Sequence, residues 1–298
     1  GFVRNQGDGW AWALAYLTRA LEDAAMAAAA GNDRTAELMA PYANFGTMIG
    51  KRLAELHACL AAPTDDPDFA PGPATRGDVA RWLEQVQNEV DRAFAALDGT
   101  KAGLDSDTAL AAQGLLGRRR AVHELVRRLA KTEDAGLKTR IHGDFHLGQL
   151  LVAQNDIVII DFEGEPARSL KERRAKASPL RDVAGILRSF DYAAAAAVSA
   201  RPATSPKLDQ KQLDLFGSFT EAACNAFLDA YRAVLTEAPH PWIDVGDKSL
   251  LRLFLIEKAA YEVCYEAANR PAWLPFPLHG LIKLLDEKGE KALEPQHA

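Results

Sequence analysis

Two stretches decide how this chain reads: Ile141-His-Gly-Asp-Phe-His-Leu-Gly-Gln-Leu-Leu151 and Ile157-Val-Ile-Ile-Asp-Phe-Glu-Gly-Glu-Pro166. The second opens on a β-branched run bounded by Asn155-Asp156 and Asp161, which predicts a short buried strand. Arg140-Ile141-His142 reads as another short extended segment, and no other strand is predicted. Acids just past a buried strand end sit at a site edge, where a ligand can reach them. In the first stretch His142, Asp144 and His146 alternate, so three ligand-type side chains come close together. Two carboxylates placed like Asp144 and Asp161 suit two jobs: one accepts a proton from a hydroxyl, the other holds a divalent cation against phosphate oxygens. Mg2+ prefers such hard oxygen ligands. On chemistry alone three readings stay open. They are phosphoryl transfer with Asp144 as base and Asp161 as metal ligand, a transition-metal hydrolase on His142, Asp144 and His146, and a loop merely tied together by polar side chains.

Outward from this region the chain reads as helix. Trp10 to Ala30 has apolar residues at helical spacing and stops at Gly31-Asn32. Asn32 or Asp33 caps the next segment, which runs to Ala62. Pro63 to Gly77 is a proline-rich, acidic loop. Helices follow at Asp78 to Leu97 and Ser106 to Lys131, around a turn at Asp98 to Leu104. After Pro179 they resume at Leu180 to Ala200, Lys211 to Glu237, Asp247 to Asn269 and Leu278 to Lys288, with a linker at 201–207. Gly46 to Lys51 resembles a phosphate-binding loop loosely, but lies inside a helical pattern. Arg118-Arg119-Arg120 reads as a solvated helix face, and Lys171 to Lys176 as an exposed loop.

The 298 residues allow two domains or one large one, and 48% hydrophobic with 26% charged residues is ordinary for a globular protein. A net charge of −6 argues against a dedicated nucleic-acid binder. No apolar run is long enough for a membrane span. The three cysteines, Cys59, Cys224 and Cys264, lie far apart, which predicts buried reduced thiols and a cytoplasmic setting. There is no G-x-S-x-G elbow and no G-x-G-x-x-G.

The two decisive stretches resemble the catalytic loop and metal-binding segment of the aminoglycoside-phosphotransferase-like kinases, and more closely those of maltokinases, including the kinase part of trehalose synthase/maltokinase fusions. Four further segments carry the resemblance: Asn5 to Trp10, Ser178 to Gly185, Leu187 to Tyr192, and Tyr261 to Glu266 through Asn269 to Trp273. It implies a mainly α fold with a small β element, the C-terminal catalytic lobe of a protein-kinase-like fold with its N-lobe absent. The chain divides on this reading into a helical part at 1–138, the catalytic and metal region at 139–178, and a helical sugar-binding part at 179–298. Because Gly1 replaces an initiator Met, the chain is expected to begin inside a longer parent or at a cloning scar. The fragment alone is expected to be inactive or nearly so.

By resemblance Asp144 is the catalytic base, Asp161 a metal ligand and His142 a loop-organising residue. Gln149 stands where kinases place a metal-binding Asn; it is one methylene longer, and Glu163 could replace or supplement it. His146 could face the sugar or the phosphate. Tyr261 and Tyr265 lie four apart, as do Glu262 and Glu266, and Arg270 follows Glu266 by four, so each set shares a helix side. The plain reading is core tyrosines with surface ion pairs. The resemblance instead makes Tyr265, Glu266 and Arg270 sugar contacts, with Tyr192 and Arg188 as weaker ones and Trp273 as either. The implied reaction is ATP plus maltose to ADP plus maltose 1-phosphate, in α-glucan metabolism, with Mg2+ required. The partners would be maltose or a similar disaccharide, the nucleotide lobe and a trehalose synthase domain. The alternatives are another small-molecule kinase of the same fold and a non-catalytic sugar-binding module.

Overall fold

The alanine-rich segments that predict helices form them in the computed structural model, which describes residues 3–32, 34–100, 104–132, 135–154, 156–166, 168–199, 210–237 and 248–286. The chain divides into two compact units. One comprises Gly1–Ala70, Thr139–Lys176 and Ser189–His240; the other comprises Pro71–Lys138, Ala177–Arg188 and Pro241–Ala298.

In the first unit α1 (Gly9–Ala29) and α2 (Thr35–Leu60) lead to the two stretches quoted above. α2 starts after Arg34 with no side-chain cap, so Asn32 does not cap it; Asp33 lies outside the described residues. The predicted strand is real but starts one residue early. Asp156–Ile159 pairs antiparallel with Leu150–Ala153, in register Leu150 to Ile159 and Ala153 to Asp156. Arg140 to His142 is not a strand. The partner strand was hidden because Leu150-Leu-Val-Ala shows no alternation and runs on directly from the loop motif. Residues 6–8 lie along its other edge: Gln6 N–H donates to Val152 O at 2.8 Å, and Val152 N–H to Gly7 O at 3.0 Å. Asp8 then caps α1 through Ala11 N–H at 2.7 Å. Arg52 of α2 anchors the hairpin with a two-point ion pair to Asp156.

A close helix contact in this unit explains the glycines of the loosely loop-like Gly46 to Lys51. α2 lies against the helix Gln210–Thr236, and a Cβ at Gly46 or Gly50 would overlap the carbonyls of Ala223 or Phe227. These glycines permit backbone approach within a helix; they do not cradle phosphate. Gly50→Ala is therefore expected to destabilise the protein by about 1–3 kcal/mol through overpacking. Gly114 lies in the last turn of the helix Ser106–Leu116 with nothing within 4 Å of a Cβ, so Gly114→Ala should raise Tm modestly by reducing the entropy of the unfolded chain. Thermal unfolding of both variants checks the contrast; equal shifts would remove the close-approach argument.

The second unit holds helices Arg76–Gly99, Lys248–Asn269 and Pro275–Leu285, and the predicted helix at Ser106 to Lys131 is two, Ser106–Leu116 and Arg119–Leu129. Gly117-Arg118 interrupts it. The last helix starts earlier than predicted because Pro275 occupies its first turn, where no N–H is needed. The loop at Pro63 to Gly77 contains a short strand, Gly72–Pro73, paired with Leu137–Lys138. Lys171 to Lys176 includes one helical turn, Leu170–Arg173, capped by Ser169. The 201–207 linker lies outside the described residues. None of the three cysteines forms a disulfide, but Cys59 is exposed, and Cys224 and Cys264 are half-buried. Burial beside Glu89 pushes the Cys264 thiol up to about 12. Among the described residues no helix is long and apolar enough to cross a membrane.

Thr75 and Asp78 form a reciprocal cap on the helix Arg76–Gly99, and Lys138 donates to Asp78 at 2.7 Å. Burial alone would raise the Asp78 pKa, but hydrogen bonds from Lys138 and Thr75 overcome it and hold the group at about 2. A depressed carboxyl stabilises the fold above its unfolded pKa, and that stability is lost as pH falls through the folded value. The charged form therefore contributes about 2 kcal/mol at neutral pH, lost between about pH 4 and pH 2. Asp78→Asn should lower Tm at pH 7 and differ little from wild type near pH 2. A constant Tm gap across that range would contradict the charge-based account.

Candidate active site

Ile160, the residue just past the strand, is pinned on both sides. Its N–H donates to Gln149 O at 3.0 Å, and its C=O lies 2.8 Å from His142 Nε2. His142 is buried, with its ring packed on Phe145 and Phe162. Its Nδ1 accepts from Asp144 N–H at 3.4 Å, so Nε2 carries the proton and donates to Ile160. His142 thus ties the loop to the strand end through one ring. The next residue, Asp161, has φ +63°, a left-handed conformation that costs a non-glycine residue about 1–3 kcal/mol. Such strain persists where its surroundings over-determine it. Here it brings the Asp161 carboxylate to Gln149, whose Nε2 donates to Oδ2 at 3.1 Å.

Glycines let the two loops meet. Gly143 at φ +84° and Gly164 at φ +72° abut, and a Cβ on Gly143 would lie 3.6 Å from Gly164 Cα. Glu163 is exposed, while its backbone O accepts from Arg173 Nη1 at 3.3 Å. Glu165 is buried beside Arg168 Nε at 3.1 Å, and its Oε1 has no hydrogen-bond partner among the described residues.

His146 caps the short turn Leu147–Gln149, its Nδ1 accepting from Gly148 N–H at 3.0 Å. Its Nε2 lies 3.9 Å from Asp144 Oδ2. Two residues that the sequence did not single out hold this turn. Ser189 Oγ accepts from Leu147 N–H at 3.1 Å, and Gly9 allows α1 to reach the turn, since a Cβ there would stand 2.8 Å from Leu147 O. Both lie inside segments that carried the resemblance, which was the only available signal. Tyr192 packs on Trp10, with ring centroids 6.1 Å apart.

The remaining sequence-predicted contacts belong to the second unit. Arg188 is buried on Gly280 and donates to Glu262 Oε2 from Nη2 at 2.6 Å and from Nε at 3.1 Å. Along the helix Lys248–Asn269, Tyr265 is exposed and stacks with Tyr261 at 6.4 Å, while Glu266 is buried. Arg270 reaches back to Glu266 with two bonds of 3.0 and 2.5 Å, and lies 5.5 Å from the Tyr265 ring centroid and 4.8 Å from that of Trp273. The plain reading is thus inverted: the tyrosine is outside and the carboxylate inside.

Asp161 with the Gln149 amide and incoming phosphate oxygens is the sparse oxygen set that Mg2+ accepts. No group of three His, Cys, Asp or Glu among the described residues is placed to hold a metal, and His142 Nε2 is committed to Ile160. The three-ligand set His142, Asp144, His146 of the hydrolase reading is therefore not assembled.

The helical fold thus sets the Asp144 loop beside a strand-end carboxylate, the arrangement that the resemblance to phosphotransferases leads one to expect. The phosphotransferase enzyme family matches residues 11–200, and the chain belongs to that family. A glucosamine kinase of Streptacidiphilus jiangxiensis is 28% identical over 281 residues, 94% of this chain and 56% of that protein. One of Mycolicibacterium smegmatis is 30% identical over 290 residues, covering 96% and 62%. A solved glucosamine kinase in complex with glucosamine, ADP and inorganic phosphate superposes with a TM-score of 0.73 at 26% identity, over 97% of this chain and 63% of that one. A second crystal form of glucosamine kinase gives 0.72 at 25% identity, over 95% and 59%. The chain therefore spans about 56–62% of the length of these curated relatives. They support an aminoglycoside-phosphotransferase-like kinase but give the maltokinase, maltose and trehalose synthase readings no support. The alternative of another small-molecule kinase of this fold fits them better.

Proposed function

We propose that this protein supplies the catalytic loop and acceptor-binding residues of a sugar kinase that uses ATP and an amino sugar of the glucosamine class. The juxtaposition of Asp144 and the strained Asp161, through His142, Ile160 and Gln149, carries the reading. Asp144 accepts the proton of the sugar hydroxyl while that oxygen bonds to the γ-phosphorus. The bond from γ-phosphorus to the β,γ-bridging oxygen breaks, and ADP leaves with the electron pair. Asp161, with Gln149, would hold Mg2+, which when bound neutralises charge on the phosphate oxygens. Taken by itself, the surface of the second unit formed by exposed Tyr265 and Arg270 and half-buried Trp273 suits a sugar, with rings for its apolar face and a guanidinium held by the buried Glu266 for its hydroxyls.

Calorimetric titration of the chain with glucosamine, glucose and maltose, with and without Mg-ADP, tests this. Glucosamine is expected to bind at least tenfold more tightly than maltose. A preference for maltose would restore the maltokinase reading, and binding of none of the three would sink the sugar-kinase proposal.

A further inference from the structure

We propose that Asp144 and His146 form a two-point clamp on the acceptor hydroxyl, the carboxylate accepting its proton while His146 Nε2–H donates to one of its lone pairs. This rests on the sugar-kinase reading above and adds a positioning role to His146.

The tautomer comes first. Gly148 N–H donates to His146 Nδ1 at 3.0 Å, so in the neutral ring the proton is on Nε2. That N–H is a donor, and it stands 3.9 Å from Asp144 Oδ2. This is too long for a direct hydrogen bond. One oxygen atom about 2.8 Å from each would see the two at an angle near 90°, so a single bridging atom fits.

The chemistry of the two ends selects that atom. A metal ion is repelled by the donor N–H. An ammonium group has no lone pair for it. A phosphate or carbonyl oxygen has no proton for the carboxylate. Water and a sugar hydroxyl can each give a proton and accept a hydrogen bond; the sugar hydroxyl, seated in place of water, keeps one further lone pair free for phosphorus. With its proton directed to Asp144 and one lone pair on His146, the remaining pair has a fixed direction. That pair forms the bond to γ-phosphorus as the β,γ-bridge breaks, and the hydroxyl proton ends on Asp144. Fixing such a direction before reaction is a recognised source of rate.

The surroundings hold the clamp rigid. A Cβ at position 148 would lie 2.9 Å from the His146 Cε1 and 3.0 Å from Nδ1, so only glycine leaves the ring where it is. Gln149 N–H donates to His146 O at 2.9 Å, and Leu147 N–H to Ser189 Oγ at 3.1 Å, so the backbone beyond the ring is pinned. The His146 side chain remains 37% exposed and that of Asp144 16%, which leaves both reachable by a ligand.

Long-range nitrogen–proton NMR of the histidine rings tests the proposal, with the His146 signals assigned by their loss in His146→Gln. Wild type is expected to show the Nε2–H tautomer at His146, and glucosamine should shift that Nε2 resonance. Gly148→Ala should abolish the shift while Mg-ADP affinity stays within about threefold. Where the protein phosphorylates glucosamine, His146→Ala should lower kcat about 10- to 100-fold, and His146→Gln, which keeps an N–H donor, should recover part of it. An Nδ1–H tautomer, or calorimetric glucosamine binding with the His146 signal unmoved, overturns the clamp and leaves the sugar-kinase reading intact. Absence of any sugar binding overturns that reading and the clamp with it.

Discussion

Asp144→Asn is expected to reduce sugar phosphorylation about a hundred- to ten-thousand-fold, the range for losing a positioned general base. The amide is nearly isosteric with the carboxylate but cannot take the hydroxyl proton at neutral pH. Little else should change. Asp144 contributes its backbone N–H, not its carboxylate, to the hydrogen bond with His142 Nδ1, so the loop brace survives the substitution. The pair Gln149–Asp161 makes its own 3.1 Å contact, in which Asp144 takes no part. Affinity for Mg-ADP should therefore stay within about threefold, and Tm within about 1–2 °C, as for a substitution that leaves packing intact. A steady-state assay of the variant beside calorimetry with Mg-ADP separates the outcomes. Activity within a few fold of wild type would remove Asp144 from the role of base. Equal loss of turnover and nucleotide binding would show that the residue supports the site as a whole.

What could be read beforehand follows how local each feature is. The helices announced themselves because a 3.6-residue apolar period lies within one segment. The strand Asp156–Ile159 did so because β-branching is a property of the residues themselves. The paired strand at Leu150–Ala153 did not, since strand formation there depends on a partner across the turn and leaves no alternation in its own sequence. The break at Gly117-Arg118 was masked by apolar residues that keep helical spacing on both sides. Gly46 and Gly50 could be seen, but their reason could not: the carbonyls they accommodate lie on Ala223 and Phe227, far along the chain. Within the site the acids at 144 and 161 were legible as chemistry. The left-handed backbone at Asp161 and the tautomer of His146 were not, because each is set by hydrogen bonds that only the folded loops make. Arg188 shows the same limit in reverse. The resemblance offered it as a weaker sugar contact, and its pairing with Glu262, 74 positions away, is visible only in the fold.

Asp161 combines a charge and a strained backbone, and two substitutions should take these apart. At φ +63° an asparagine is accommodated nearly as well as aspartate, whereas alanine has no polar side chain with which to compensate for the left-handed conformation. Asp161→Asn should therefore unfold at close to the wild-type temperature. Asp161→Ala should lose about 1 kcal/mol or more of stability, in line with the cost of that region for a residue with a Cβ. Function should not follow that order. Both variants lack the anionic oxygen that hard cations require, so both should lose Mg2+-dependent nucleotide binding by about a hundredfold or more. Thermal unfolding gives the first ranking, and calorimetric titration with ADP at several Mg2+ concentrations gives the second. If stability and Mg2+ dependence fall together in the same ranking, the carboxylate serves the fold. If Asp161→Asn keeps its stability but loses the Mg2+ dependence, the conformational strain is maintained in order to present a metal ligand. The contact to Gln149 refines that test. An amide in place of the carboxylate still accepts from Gln149 Nε2, so the loop geometry persists in Asp161→Asn, and the lost cation affinity reports the missing charge alone.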